Sequence, residues 1–222
     1  MANIKRNHTM NDKLTQLYNA ILDGDVTGAN DEVRAAMLSD LKPEQILSEG
    51  MIPAMQEVGR RFEAGDYYVP EMLVAARAMQ SALLLLKPQL VATDVKSAGR
   101  VAIGTVKGDL HDIGKNLVKL MLEGAGFEVK DLGADVPPEK FIEAISSGHV
   151  DVVALSALLT TTMPQMKSTI EAIEQAGLRD KVKIIVGGAP VTQRYATEIG
   201  ADGFAADASL APGMVASLLQ AM

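Results

Sequence analysis

The chain of 222 residues changes its hydrophobic rhythm once, near residue 90, and that change restricts the fold more than any other feature. Up to that point apolar residues recur at spacings of three and four, the period of an amphipathic helix. Beyond it, short β-branched runs alternate with longer helical segments, as in a sheet built from βα units. The first part predicts helices over residues 11–23, 30–41, 43–64 and 69–90, broken at Gly24, Lys42-Pro43 and Gly65-Asp66. Asn30 and Asp66 are suited to caps or turns at such breaks. The expectation is a four-helix unit.

Residues 91–99 turn small and polar, which predicts an exposed connection between two domains spanning 1–90 and 100–222. In the second domain strands are expected at 100–105, 128–131, 150–156, 183–187 and 203–206. Helices are expected at 111–126, 138–147, 163–176, 191–199 and 210–222. Five strands alternating with five helices imply right-handed crossovers and a parallel sheet covered on both faces. The fold class is therefore a four-helix bundle followed by a flavodoxin-like, Rossmann-type α/β domain with strand order 2-1-3-4-5. In that order the switch point lies between the first and third strands, where open α/β sheets bind ligands. The loops there are the unusual ones: Gly108-Asp109-Leu110-His111-Asp112-Ile113-Gly114 after the first strand, and Ser156-Ala157-Leu158-Leu159-Thr160-Thr161-Thr162 after the third. The fourth strand ends in Gly187-Gly188-Ala189-Pro190, which allows close backbone approach.

Composition removes several function classes. Cys is absent, so disulfides, thiolate metal sites and cysteine nucleophiles are excluded. A net charge of -7 without a Lys/Arg cluster argues against a nucleic-acid surface. The first residues lack the apolar stretch of a signal peptide, and charges are read as interrupting every apolar run. The expectation is a soluble, cytoplasmic protein with no membrane partner.

His111, with carboxylates two residues before and one after, has two readings. It is a polar residue near a helix N-terminus, its acidic neighbours complementing the dipole, or a metal ligand with an orienting carboxylate already supplied. A Walker A loop fails because five residues separate Gly108 from Gly114 and Asn116 stands where Ser or Thr is required. A zinc site would need more ligands, yet the other histidines are His8, near the N-terminus, and His149, at the opposite end of the sheet. A lone ligand suits a metal whose remaining positions belong to a macrocycle. A phosphoacceptor receiver is set aside, since Ser156 closes the third strand and no Lys closes the fifth. The hydroxyls at Ser156 and Thr160–Thr162 either cap the next helix or line a ligand crevice, one of them bonded to Asp109. Gly187-Gly188 on its own is an ordinary tight turn.

Asp-x-His-x-x-Gly (Asp109, His111, Gly114), Ser-x-Leu (Ser156, Leu158) and Gly-Gly (Gly187, Gly188), in this order, resemble the signature of cobalamin-binding modules that hold the cofactor base-off with histidine on cobalt. Upstream, the stretch from Val58 to Glu71 resembles the helical cap of methionine synthase, with Phe62 and Val69 at the matching positions. Met51, Met55, Val58 and Met72 are read as bundle core. The chain thus resembles a corrinoid protein of an anaerobic methyltransferase system. The resemblance implies cobalamin, as methylcobalamin or Co(I) corrinoid, with His111 on cobalt and an axial-ligand relay of Asp109, His111 and Thr162, where methionine synthase has serine. It further implies cofactor contacts from residues 108–114, from Ser156, Leu158, Thr160 and Thr161, and from Gly187, Gly188 and Ala189. Along the fifth strand, Phe204, Ala205, Asp207 and Ala208 complete the set, with Phe62 and Val69 as cap. Implied partners are a donor-specific methyltransferase, a methyltetrahydrofolate-type methyltransferase and a reductive activation protein. The donor would be an aryl methyl ether, a methylamine or methanol. Rival readings are a cobalamin-dependent sensor, for which a DNA-binding segment is missing, and the small subunit of an adenosylcobalamin mutase, which would lack the cap-like stretch.

Overall fold

The computed structural model describes residues 12–93 and 97–221, and the chain divides between residues 95 and 96 into two compact units. His8 and the middle of the expected connection, Asp94 to Lys96, lie outside the described residues.

The helical unit comprises α1 (Asp12–Leu22), α2 (Val26–Met37), α3 (Pro43–Gln45), one π-helical turn (Ile46–Met51), α4 (Ile52–Glu63) and α5 (Val69–Ala92). Several boundaries differ from expectation: α2 is shifted four residues towards the N-terminus at both ends, the expected 43–64 helix is divided by the π-helical turn, and α5 runs on past residue 90. Helix α2 begins at Val26 because Asp25 caps it, its Oδ1 accepting from the Gly28 amide at 2.9 Å. Asn30 lies inside that helix, where its Nδ2 donates to Ser81 Oγ on α5 at 2.9 Å. Helix α5 continues to Ala92, so Val91 and Ala92 are helical rather than part of a linker. It is also 24 residues long and, by length and composition, apolar enough to cross a membrane, which corrects the view that charges interrupt every apolar run. Within the unit it packs on α1, α2 and α4 and buries Met72, Met79, Ala82 and Leu86, the setting of a core helix in a bundle. Gly24 is required where α1 turns into α2, since its φ is 72° and a Cβ would meet Val74 Cγ2 at 2.6 Å.

The second unit alternates β1 (Arg100–Thr105), α6 (Ile113–Gly124), β2 (Glu128–Asp131), α7 (Pro138–Ser146), β3 (Val152–Ser156), α8 (Pro164–Gln175), β4 (Lys183–Gly187), α9 (Gln193–Glu198), β5 (Gly203–Ala205) and α10 (Leu210–Gln220). The sheet is parallel, in the order β2-β1-β3-β4-β5. The central strands β1, β3 and β4 are apolar on both faces because both are covered, whereas the edge strand β2 is polar and mostly exposed. Ala102, Val153, Leu155, Ile184 and Val186 join Phe141 of α7 and Ile170 of α8 in one core. The intervening Val101, Ile103, Val152, Ala154 and Ile185 join Leu122 of α6 and Val215 of α10 in the other. Helix α6 starts at Ile113, two residues later than expected, which leaves His111 in the loop.

The register carries the consequence for function. Thr105 pairs with Ser156, Ser156 with Gly187 and Gly187 with Ala205, so the strand ends at which the motifs sit form one row across the sheet.

Phe141 is fully buried against β1, where a Cβ on Gly104 would meet its Cζ at 2.8 Å. Phe141→Ala should therefore lower the unfolding free energy by about 3–5 kcal/mol, measured by urea denaturation. A loss below about 1 kcal/mol would contradict this packing.

Candidate functional site

The site is organised by one carboxylate. Asp109 follows Gly108, whose φ of 81° turns the chain at the end of β1 so that the Asp109 side chain becomes wholly buried. Its Oδ1 accepts from His111 Nδ1 at 2.8 Å and from the His111 amide at 3.0 Å. Its Oδ2 accepts from Thr162 Oγ1 at 2.6 Å and from the amides of Leu158 and Leu159 at 2.8 and 3.3 Å. Burial pushes the Asp109 carboxyl up. The hydrogen bonds from Thr162, from the His111 and Leu158 amides and from the imidazole outweigh it, holding the group well below the usual carboxylate range.

An ionised carboxylate only accepts, so Nδ1 of His111 carries the proton of this bond, and in the neutral imidazole Nε2 is then the nitrogen with a lone pair. The His111 side chain is 49% exposed even though its partner is buried. Leu110 and Ile113 beside it are 75% and 81% exposed. A Cβ on Gly114 would meet nothing within 4 Å. An available imidazole nitrogen among uncovered apolar side chains is the donor set that a metal inside a large apolar ring requires. Among the described residues no cluster of three His, Asp or Glu side chains could hold a metal by itself.

The other expected residues fall on the same sheet end. Ser156 is half-buried at the end of β3, and Leu158, Thr160 and Thr161 are exposed on the loop after it. The Thr162 hydroxyl does not cap α8: it lies 2.6 Å from Asp109 Oδ2 and 2.9 Å from the Leu159 carbonyl, and donates to the nearer carboxylate. Gly187 and Gly188 permit the tightest approach. A Cβ on Gly188, with φ 130°, would overlap the Ala157 carbonyl oxygen, while Ala189 is exposed. Phe204 and Ala205 lie on β5, and Ala208 is buried. Asp207 has a structural task, its Oδ1 accepting from the Ser209 amide and hydroxyl at 2.8 and 2.6 Å at the start of α10. Phe62 and Val69 belong to the helical unit, at the end of α4 and the start of α5, half-buried and exposed.

Two groups escaped the sequence reading. Lys115 is buried, with Nζ 2.7 Å from Asp131 Oδ1 and 2.6 Å from Asn116 Oδ1, while Asn116 Nδ2 donates to Asp112 Oδ2 at 3.1 Å. Burial raises the Asp131 carboxyl, but Lys115, the Gly133 amide and Lys119 bring it below its ordinary value. The second group is Asp135, whose Oδ1 accepts from the Gly108 amide at 2.6 Å.

A parallel α/β sheet with a histidine-bearing loop at its switch point, in a chain that also carries a helical unit, defines a two-unit cofactor-binding protein. A family model described as a B12 binding domain matches residues 99–213, and another of the same description matches residues 13–87. The chain is 41% identical to the dimethylamine corrinoid protein of Methanosarcina barkeri over 208 residues, 92% of this chain and 98% of that one. It is 42% identical to the trimethylamine corrinoid protein of the same organism over 202 residues, 90% and 93% of the two chains. A cobalamin-binding protein from Desulfitobacterium hafniense DCB-2 superposes with a TM-score of 0.76 at 32% identity, covering 94% of this chain and 97% of that one. The methanol:cobalamin methyltransferase complex MtaBC of M. barkeri gives 0.84 at 27% identity, over 96% and 81%. The chain belongs to the B12-binding corrinoid proteins of methyltransferase systems, and cobalamin is its cofactor.

All five groups around Asp109 are donors, so an amide there would set an NH2 against N–H groups. The folded-state pKa is lowered, so the carboxylate stabilises the fold above its unfolded value of about 3.9, and this is lost as pH falls through the folded pKa. Asp109→Asn should cost about 1–3 kcal/mol near neutral pH, and its gap to wild type in urea melts should narrow below about pH 4. A gap that stays constant into that acid range would contradict an ionised Asp109.

Proposed function

We propose that this protein is a methyl carrier that binds cobalamin base-off, with His111 Nε2 on cobalt, and serves in turn a methylamine-specific methyltransferase and a second methyltransferase with a tetrahydrofolate-type acceptor. The observation that carries the reading is the 2.8 Å contact between His111 Nδ1 and a buried, ionised Asp109. That contact fixes the imidazole tautomer and increases the basicity of Nε2, as carboxylates behind metal-bound histidines do. Bound cobalamin supplies a cobalt centre that can accept and release a methyl group. The protein supplies the rest. Nε2 would be the ring atom offered to cobalt, and the Asp109 carboxylate, which accepts from Thr162 Oγ1, would hold the ring from Nδ1. Asp109, His111 and Thr162 thereby form the relay.

The nucleotide tail would run along the row Ser156, Leu158, Gly187 and Gly188 towards Phe204, Ala205 and Ala208. The glycines supply close backbone approach there, and Thr160 and Thr161 supply hydroxyls. Gly108, Leu110, Asp112, Ile113, Gly114, Ala189 and Asp207 complete the cofactor set in this reading. Phe62 and Val69 of the helical unit would contact the bound cofactor in this reading. A reductive activation protein would restore Co(I), and the cytoplasm would be the compartment. A methylamine is the favoured donor because relatives at 41–42% identity are named dimethylamine and trimethylamine corrinoid proteins. Methanol and aryl methyl ethers remain as comparison substrates.

Reconstituted wild-type protein should show the visible spectrum of histidine-ligated, base-off cobalamin, and His111→Ala should shift it to a water-ligated or base-on form. An unchanged spectrum in His111→Ala would overturn the ligation. For the donor, methylation of the Co(I) protein should be fastest with a methylamine and its cognate methyltransferase. Equal or faster methylation with methanol or an aryl methyl ether and their own enzymes would reassign it.

A further inference from the structure

We propose that Asp135 is a positioning residue for the cobalt-binding histidine: it clamps both ends of the Gly108-Asp109 segment and so holds the Asp109 carboxylate behind His111. This rests on the reading of His111 as the cobalt ligand.

Asp135, in the loop between β2 and α7, is the one non-glycine residue with positive φ among the described residues, at 54°. That conformation costs about 1–2 kcal/mol for an L-residue and is best tolerated by Asn and Asp. Strain of this kind persists where the surroundings over-determine it, and it clusters at functional sites. Here it lets one residue make two bonds to the neighbouring loop. Asp135 Oδ1 accepts from the Gly108 amide at 2.6 Å, and the Asp135 amide donates to the Asp109 carbonyl at 2.9 Å. The backbone torsions of Gly108 and Asp109 lie between those two peptide groups, so the same residue pins both sides of the turn that buries the Asp109 side chain. On either side the clamp is anchored in the sheet: the Val136 amide donates to the Thr105 carbonyl at 2.9 Å, and Val106 and Val136 form a parallel bridge. Asp135 is itself exposed and both of these bonds go to backbone groups, so it acts through the backbone.

Glycine at position 135 removes the carboxylate while relieving the φ, which separates the clamp from the strain. In the cofactor-free protein, Asp135→Gly should melt within a few degrees of wild type, yet exchange of the Gly108 amide should accelerate by about tenfold. The imidazole Nδ1–H resonance should broaden in parallel. In the hydroxocobalamin-loaded protein the histidine-ligated fraction should fall, with water-ligated cobalamin taking its place. Asp135→Asn keeps an acceptor and tolerates the conformation, so it should restore both signals. Wild-type exchange at Gly108 and wild-type ligation in Asp135→Gly would overturn the proposal, as would loss of ligation in Asp135→Asn equal to that in Asp135→Gly. If wild-type protein showed no histidine ligation, the reading of His111 would fail, and the exchange measurement on cofactor-free protein would still decide whether Asp135 holds the loop.

Discussion

A buried carboxylate is the constraint on which this site depends. Removing an ion from water costs several kcal/mol even after relaxation. Asp109 is tolerable in the interior because it accepts from three backbone amides, a hydroxyl and an imidazole. Hydrogen bonds to a charged group contribute about 1.5–3 kcal/mol each, so this set is large enough to offset that cost. The donors come from the loops after β1 and β3, which only the 2-1-3-4-5 order makes neighbours. On that topology, loop closure and histidine orientation follow from satisfying one charge.

The same loop is braced from two further directions. On one side the buried Lys115 joins the start of α6 to Asp131 at the end of β2, and through Asn116 to Asp112 beside His111. On the other, Asp135 grips the backbone before and after Asp109. The histidine is left about half exposed on a hydrogen-bonded mount, which suits the proposed role of a metal ligand. Preorganisation of this kind keeps the ordering entropy out of each binding event.

How much of this was legible in the sequence follows from what each residue does. The bounds of β1 and β4 were legible because strands buried on both faces are continuous apolar runs between turn residues, while β2, a mostly exposed edge strand of sequence EVKD, was legible from its place between two helical segments. Gly188 was legible because no other residue fits its place against the Ala157 carbonyl, whereas nothing within the protein crowds Gly114. The start of α2 was not, since Asn30 has the character of a cap but spends its side chain on Ser81, while Asp25 does the capping. The π-helical turn at Ile46–Met51 has no periodic signal of its own. Thr162 was legible as a hydroxyl near Asp109 because the switch point brings the two loops together. Asp135 and Lys115 were not, for their partners lie 27 and 16 residues away and depend on how the end of β2 meets the end of β1. That pairing is a tertiary fact with no local signature.

The central claim is that Asp109 presents His111 Nε2 to cobalt. The most direct measurement is the electron paramagnetic resonance spectrum of the Co(II) form, taken with and without 15N-histidine labelling. A nitrogen ligand from His111 predicts a superhyperfine triplet that becomes a doublet on labelling. A triplet unaffected by labelled histidine would place the cofactor's own base on the metal, and an absence of nitrogen splitting would leave water there; either result contradicts the account.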